Sequence, residues 1–262
     1  MGERHRFKMS KISIIVPSYN EKDNVENLVK QIGDSLKGLS YEIVFVDDST
    51  DETPEVLRAI MKENDHVRME HRTDEKGLAT AVIRGFHIAD GDYLAVMDAD
   101  LQHPPAILRA MYTVMESGAD FCIPSRFIPG GSDGGLNLYR KMVSGVARYI
   151  GKICLPSLRK ITDPTSGLFM FRKEAIQHAE LKPIGWKIMV EVLALGDYKS
   201  VVEIPYCFQA RPAGESKLSS KVTMEYLEQV WGLMRRGKKQ KGVTVEHWSV
   251  EKMNEMVKKY GK

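Results

Sequence analysis

Between Lys11 and Pro124 the chain alternates short apolar runs with segments of helical period, and this alternation restricts its fold more than any other feature. Lys11-Ile12-Ser13-Ile14-Ile15-Val16-Pro17 reads as a buried strand stopped by proline. Val25, Leu28, Val29, Ile32 and Leu36 then recur at helical spacing, which predicts a helix over 23–37 entered near Asn20 to Asp23. A second strand, Tyr41 to Val46, runs into Asp47-Asp48-Ser49-Thr50, and a helix follows from about Pro54, whose fixed φ suits a first turn. Residues 66–71 form a short strand, and Gly77 opens a helix through Ala79, Ala81, Val82 and Phe86. A central strand at 93–97, a helix over roughly 104–117 and a strand at 121–124 complete the series. Such alternation predicts an α/β three-layer sandwich with a mostly parallel sheet. Ligands of these sheets gather beyond the carboxyl ends of the strands. Pro17–Glu21, Asp47–Thr50 and Asp98–Gln102 all lie at those ends.

The last of these segments carries the sharpest chemistry. Side chains of a strand alternate, so a strand running through Met97 points Asp98 and Asp100 to one side. Gln102 adds a neutral oxygen. An oxygen-rich cluster suits Mg²⁺ or Mn²⁺ holding phosphate, and has too little nitrogen or sulfur for zinc. The plain alternative is a pair of solvated acids at a strand end.

After about residue 130 the alternation is expected to fail. Gly130 to Gly135 is a glycine-rich loop. Leu138, Met142, Val143, Val146, Ile150 and Ile153 then share one broad helical face over 136–153, flanked by Arg140, Lys141, Arg148 and Lys152. Val222, Tyr226, Val230, Leu233 and Met234 repeat the pattern over 222–236, followed by the basic run 235–241. A short charged helix at 249–260 is capped by Ser249. The net charge of +3 is mild but uneven, with acids concentrated at 47–55 and 90–100 and bases at 140–160 and 235–241. The three widely spaced cysteines argue against a disulfide framework and fit a reducing, cytosolic compartment. No stretch approaches the length of an apolar membrane span, and residues 1–9 do not read as a signal peptide.

Four motifs occur in order: Ile14-Ile15-Val16-Pro17-Ser18-Tyr19-Asn20-Glu21, Val46-Asp47-Asp48-Ser49, Lys76-Gly77-Leu78 and Asp98-Ala99-Asp100-Leu101-Gln102-His103-Pro104. They continue through Ser125-Arg126, Tyr139-Arg140-Lys141, Asp163-Pro164-Thr165-Ser166-Gly167 and Arg211-Pro212-Ala213-Gly214-Glu215-Ser216-Lys217. Over roughly residues 11–236 the chain resembles the inverting family 2 glycosyltransferases with a GT-A fold. Within them it is most similar to the polyprenyl-phosphate glycosyltransferases of the dolichol-phosphate mannose synthase type.

The resemblance implies a GT-A domain over 11–217, preceded by an extension (1–10) and followed by an amphipathic helix and basic tail (218–262). The segment 136–160 would lie within that domain as an interfacial element. Pro17, Tyr19, Glu21, Val46 and Asp48 are then expected to hold the nucleotide. Glu21 has the alternative of facing a helix dipole, and Asp47 or Asp48 that of capping the next helix. Asp98 and Ala99 would line the donor, while Asp100 and Gln102 ligate the cation with the diphosphate. Arg211 and Lys217 would clamp that diphosphate, and Arg126 and Arg140 would bind the acceptor phosphate. His103 is expected to be an exposed residue at a helix start, outside the site.

The implied reaction moves a hexose, mannose from GDP-mannose above others, to a polyprenyl or dolichyl phosphate with anomeric inversion. The alternatives are a UDP-sugar donor, another family 2 activity, or a nucleotide-sugar-binding regulatory protein. A processive polysaccharide synthase is disfavoured because no Q-x-x-R-W motif occurs. The expected location is peripheral, on the cytoplasmic face of a membrane, through the two apolar faces or a membrane-embedded partner subunit. Nucleic acid is not an expected partner.

Overall fold

The computed structural model describes residues 10–135, 138–182, 184–209, 220–238 and 242–260, with the backbone alone described at 138–143 and 220–222. Its strands are β1 (Ile12–Ser18), β2 (Tyr41–Asp47), β3 (Val67–His71), β4 (Tyr93–Val96), β5 (Phe121–Ser125), β6 (Phe169–Arg172), β7 (Ser200–Pro205) and β8 (Thr244–His247). The α-helices are α1 (Val25–Ser35), α2 (Thr53–Glu63), α3 (Leu78–Ile88), α4 (Leu108–Glu116), α5 (Leu138–Cys154), α6 (Ile188–Leu195), α7 (Ser220–Arg236) and α8 (Val250–Tyr260). One sheet runs β3-β2-β1-β4-β6-β5-β7-β8, parallel throughout except for β6, which is antiparallel to both neighbours.

Period-two alternation sorts the side chains between two cores. Ile12, Ile14 and Val16 of β1 enter a core with α1, α4 and Trp248, whereas Ile15 enters a second core with α3, α6 and α7. Every residue of β1 is buried, as expected of a strand covered on both faces.

The second half of the chain corrects the expectation that alternation fails after residue 130. It supplies β6, α6, β7, α7, β8 and α8 to the same sheet. The helices α7 and α8 match those expected over 222–236 and 249–260, whereas β6, α6, β7 and β8 answer to no expected element, and two causes account for α6, β6 and β8. Helix α6 is buried at all eight positions, so it has no polar face to mark a helical period. Strands β6 and β8 have only four residues each. Residues 242–260 add the edge strand β8 and the helix α8, whose first turn is capped by the Ser249 hydroxyl accepting from the Lys252 N–H at 3.2 Å. Among the described residues no helix is long and apolar enough to cross a membrane.

Candidate active site

The carboxyl ends of β1, β2 and β4 open on a cavity of about 600 Å³. Pro17, Tyr19, Glu21, Asp48, Asp98, Ala99, Asp100 and Arg126 all reach its wall. Short polar bonds between neighbouring strand ends shape the first side. The Ser18 hydroxyl donates to the buried Asp47 carboxylate at 2.7 Å, as does that of Ser49 at 2.6 Å, and His71 Nδ1 lies 2.7 Å away. Asn20, at φ 58, accepts the Thr50 N–H on its side-chain oxygen at 2.9 Å. Asp48 accepts a two-pronged bond from Arg72, at 2.8 and 2.7 Å, and a third from the Gly77 N–H at 2.9 Å. Its carboxylate is therefore fixed in place before any ligand arrives. Glu21 accepts from the Asn24 amide at 2.7 Å. Tyr19 is exposed, with Lys76 Nζ 6.0 Å from its ring centroid. The Val46 side chain packs instead with Val44 and Ala81, behind the wall.

The Asp98–Gln102 segment differs from the expected strand continuation. Strand β4 stops at Val96, and the chain turns so that Leu101 takes a left-handed backbone at φ 58. A non-glycine residue held there is unusual and clusters at functional sites. The turn lets the Gln102 N–H donate to Asp100 Oδ1 at 3.1 Å, while the Gln102 amide donates to the Gln209 carbonyl at 3.3 Å. Asp98 is half-exposed and Asp100 is buried. Among the described residues no group of three His, Cys, Asp or Glu side chains is placed to hold a metal ion by itself. Asp100 offers the cavity a carboxylate, and a Mg²⁺ or Mn²⁺ site takes one or two protein oxygens when phosphate and water supply the others, so Asp100 fits such an ion, whereas Gln102 is buried beside it and does not line the cavity.

The facing wall is cationic. Arg126 leaves the end of β5 and makes a two-pronged bond to Asp163, Nε to Oδ2 at 2.7 Å and Nη2 to Oδ1 at 2.9 Å. Burial opposes its charge, but the Asp163 hydrogen bonds and negative charge outweigh this and raise its pKa. Lys187, just before α6, donates to the Thr165 carbonyl at 3.1 Å. Burial, and then the charge of Arg126, lower its pKa. Helix α5 brings Ser144 to the wall, and Arg140 stands one turn earlier on the same helix face. The Arg140 side chain, Arg211 and Lys217 lie outside the described residues.

Sequence reasoning placed His103 wrongly. It is buried, not exposed, and lines the cavity. Its ring lies 18° from parallel to that of Tyr206, with Nδ1 3.2 Å from the Tyr206 hydroxyl, and Nε2 lies 3.9 Å from Asp98 Oδ2. Burial, then the charges of Arg126 and Lys187, push its pKa down to about 3, so it is neutral at pH 7. Gly167 must approach this pair closely, since a Cβ there would lie 2.6 Å from Asp98 Oδ2 and 3.1 Å from His103 Nε2. Lys187 and Ser144 were missed as well. Neither stands in a pattern that distinguishes it from a solvated helix residue.

Residues 13–179 match the family described as Glycosyl transferase family 2. The chain is 46% identical over 226 residues to the dolichol-phosphate mannosyltransferase of Pyrococcus furiosus, taking in 86% of this chain and 64% of that protein. It thus spans less than two thirds of that relative's length. It is also 36% identical over 234 residues to the dolichol-phosphate mannosyltransferase of Saccharomyces cerevisiae, covering 83% of this chain and 85% of that one. A solved structure of glucosyl-3-phosphoglycerate synthase from Mycobacterium tuberculosis, with Mn²⁺, UDP and glucosyl-3-phosphoglycerate bound, superposes with a TM-score of 0.62. That match has 18% identity and covers 86% of this chain and 76% of the other, which establishes a shared GT-A fold.

Proposed function

Because the chain belongs to glycosyl transferase family 2, we propose that it transfers mannose from GDP-mannose to the phosphate of a polyprenyl or dolichyl phosphate, inverting the anomeric carbon. The observation that carries this reading is the polarity of the cavity, with carboxylates on one wall and Arg126 and Lys187 on the other. The relatives named for dolichol-phosphate mannosyl transfer support the choice of sugar and acceptor.

A phosphate monoester has a second pKa near 6, so the acceptor is largely dianionic at neutral pH. An acceptor oxygen attacks the anomeric carbon, and the bond from that carbon to the diphosphate oxygen breaks with its electron pair leaving on the nucleoside diphosphate. No side chain has to remove a proton. The residues instead hold two anions in line and offset their repulsion. In this reading Tyr19, Glu21 and the Arg72-bound Asp48 seat the nucleoside. Asp98 and Ala99 face the donor sugar, and Arg126 with Arg140 and Ser144 receive the acceptor phosphate. Arg211 and Lys217 close on the diphosphate. Asp100, which accepts the Gln102 N–H, holds the divalent cation, which supplies charge stabilisation to the departing diphosphate. His103, neutral and packed against Tyr206 and Phe208, lines the cavity beside Asp98 without acting as a base.

The acceptor's lipid tail assigns a role to the outer helices. Val146, Tyr149 and Ile153 of α5 and Met224, Leu227, Trp231 and Met234 of α7 are exposed at helical spacing. The two helices are joined where the Tyr226 hydroxyl donates to the Ala147 carbonyl at 2.8 Å. Arg148 lies over the Phe127 and Tyr149 rings, and Arg235 over that of Trp231. Apolar faces edged with arginine suit a helix lying in the headgroup plane. In this reading the protein works peripherally, at the cytoplasmic face of a membrane, with a membrane-embedded partner subunit as an alternative anchor.

Incubation of the purified chain with Mn²⁺, a short polyprenyl phosphate and either GDP-mannose or UDP-glucose tests the reading. A lipid-linked mannose is expected from GDP-mannose. A product from UDP-glucose alone transfers the assignment to glucosyl transfer, and no lipid-linked product from either donor refutes it.

A further inference from the structure

We propose that Glu203 of β7, supported by His247 of β8, is a positioning residue that fixes Arg126 for the acceptor phosphate. The proposal rests on the acceptor role given to Arg126 above.

Among the described residues Arg126 pairs with one carboxylate, Asp163, and Asp163 is fully buried. Asp163 itself sits in an irregular segment between the end of α5 and the start of β6, where no sheet ladder holds the backbone. What holds it is the Glu203 carboxylate. Glu203 accepts the Thr162 N–H at 2.9 Å, the Thr162 hydroxyl at 2.7 Å and the Asp163 N–H at 3.1 Å. The Thr162 hydroxyl oxygen also lies 2.6 Å from that of Ser125, the residue before Arg126. The turn is thus bonded on one side to the strand end that carries the arginine and on the other to Glu203.

Glu203 is a fully buried carboxylate in a strand whose neighbouring residues Val201, Val202 and Ile204 are apolar and buried. An apolar side chain at such a position would avoid the cost of removing a charge from water. The charge is retained where three donors converge from one turn, and it is also met by His247. Glu203 and His247 are register partners of β7 and β8, and His247 Nε2 lies 3.0 Å from Glu203 Oε2. The start of α8 touches the same region. A Cβ on Gly130, four residues beyond Arg126, would lie 2.6 Å from Val250 Cγ2. The helix α8 therefore touches the loop that follows Arg126 directly, and β8 reaches Arg126 through Glu203 and the Thr162–Asp163 turn. A plain structural reading, that Glu203 only satisfies buried amides, predicts a loss of stability shared evenly by all functions. Positioning predicts a loss confined to the acceptor.

The experiment measures binding of a short polyprenyl phosphate by calorimetry without donor, and separately KM for each substrate. Glu203→Gln keeps the side chain's size but turns an amide NH₂ toward donors. It is expected to weaken acceptor binding and lower kcat/KM for the acceptor by about 10- to 100-fold, with donor KM within about twofold of wild type. His247→Ala, at a partly exposed site, gives the same split at about two- to fivefold and serves if Glu203→Gln fails to fold. Glu203→Asp restores part of the acceptor affinity. A folded Glu203→Gln or His247→Ala with unchanged acceptor affinity, or with donor and acceptor weakened equally, overturns the proposal. Wild-type protein that neither binds polyprenyl phosphate nor forms product overturns the functional reading and this proposal together, so the two failures are told apart.

Discussion

On the wall built from β1, β2 and β4, several polar groups are tied to a neighbouring strand's loop. Ser18 reaches Asp47, Asn20 reaches Thr50, and Asp48 is held by Arg72 and Gly77. On the facing wall Arg126 is tied through Asp163 to Glu203 and from there to His247, groups drawn from four separate parts of the chain. The first wall repeats one device across successive parallel units, so every link has its own local support. The second is a series, and a change at its far end is felt at the near end. The difference teaches that one sheet can carry a wall held by independent local ties, read as the donor side, beside a wall held by a single series of bonds, read as the acceptor side.

The strongest way to break this comparison is Asp100→Ala, since the donor cradle is useless without the charge it is read as collecting. Product formation with Mn²⁺ is expected to fall by about 10²- to 10³-fold, as when one group stabilising transition-state charge is removed. Calorimetric titration of Mn²⁺ in the presence of GDP should show the ion's binding weakened. Activity that persists undiminished in the variant, or in wild type with EDTA, would refute the cation assignment.

A smaller effect sharpens the comparison by splitting the walls. Arg126→Ala is expected to lower kcat/KM for the lipid phosphate by about 10- to 100-fold while GDP binding changes little. Arg72→Ala leaves Asp48 buried without its paired charge, and GDP binding weakens by about tenfold with the acceptor KM retained. Measured KM values that shift in the opposite sense for the two variants would collapse the division into two walls.

Smallest at the level of chemistry is Trp231→Glu on the exposed face of α7. Co-sedimentation with anionic lipid vesicles should fall by about tenfold, because an exposed aromatic suited to the interface is replaced by a charge that anionic headgroups repel. Turnover of a water-soluble short-chain acceptor should stay close to wild type. Equal vesicle binding by both proteins would remove α7 from the membrane face.

The same two walls differ in how far a sequence exposes them. Strands β1, β2 and β4 and the loops after them announce themselves through apolar runs that end in Pro, Asp or Asn, because local hydrogen bonding decides those positions. The resemblance covering residues 11–236 then gives the order of the acceptor motifs but not their bonding. Nothing near Arg126 in the sequence points to Asp163, and nothing in Ser200–Pro205 distinguishes Glu203 from a solvated edge residue. His103 was misplaced for a related reason. Its burial is set by Tyr206, Phe208 and Gly167, all distant in sequence. The bent Asp98–Gln102 turn shows the limit of period-two reasoning, which holds only while a ladder enforces it.

The single antiparallel strand also couples two distant parts of the molecule. Strand β6 lies between β4 and β5, so these two meet only through residues 169–172. Without β6 the edge of β4 away from β1 would stand unpaired, a template for pairing with other chains. The Asp163–Gly167 turn immediately precedes β6, and Phe169 pairs with Val96, so the pairing that covers this edge also brings Gly167 against Asp98. Protection of a central strand and placement of the turn that holds Arg126 thus rest on one register.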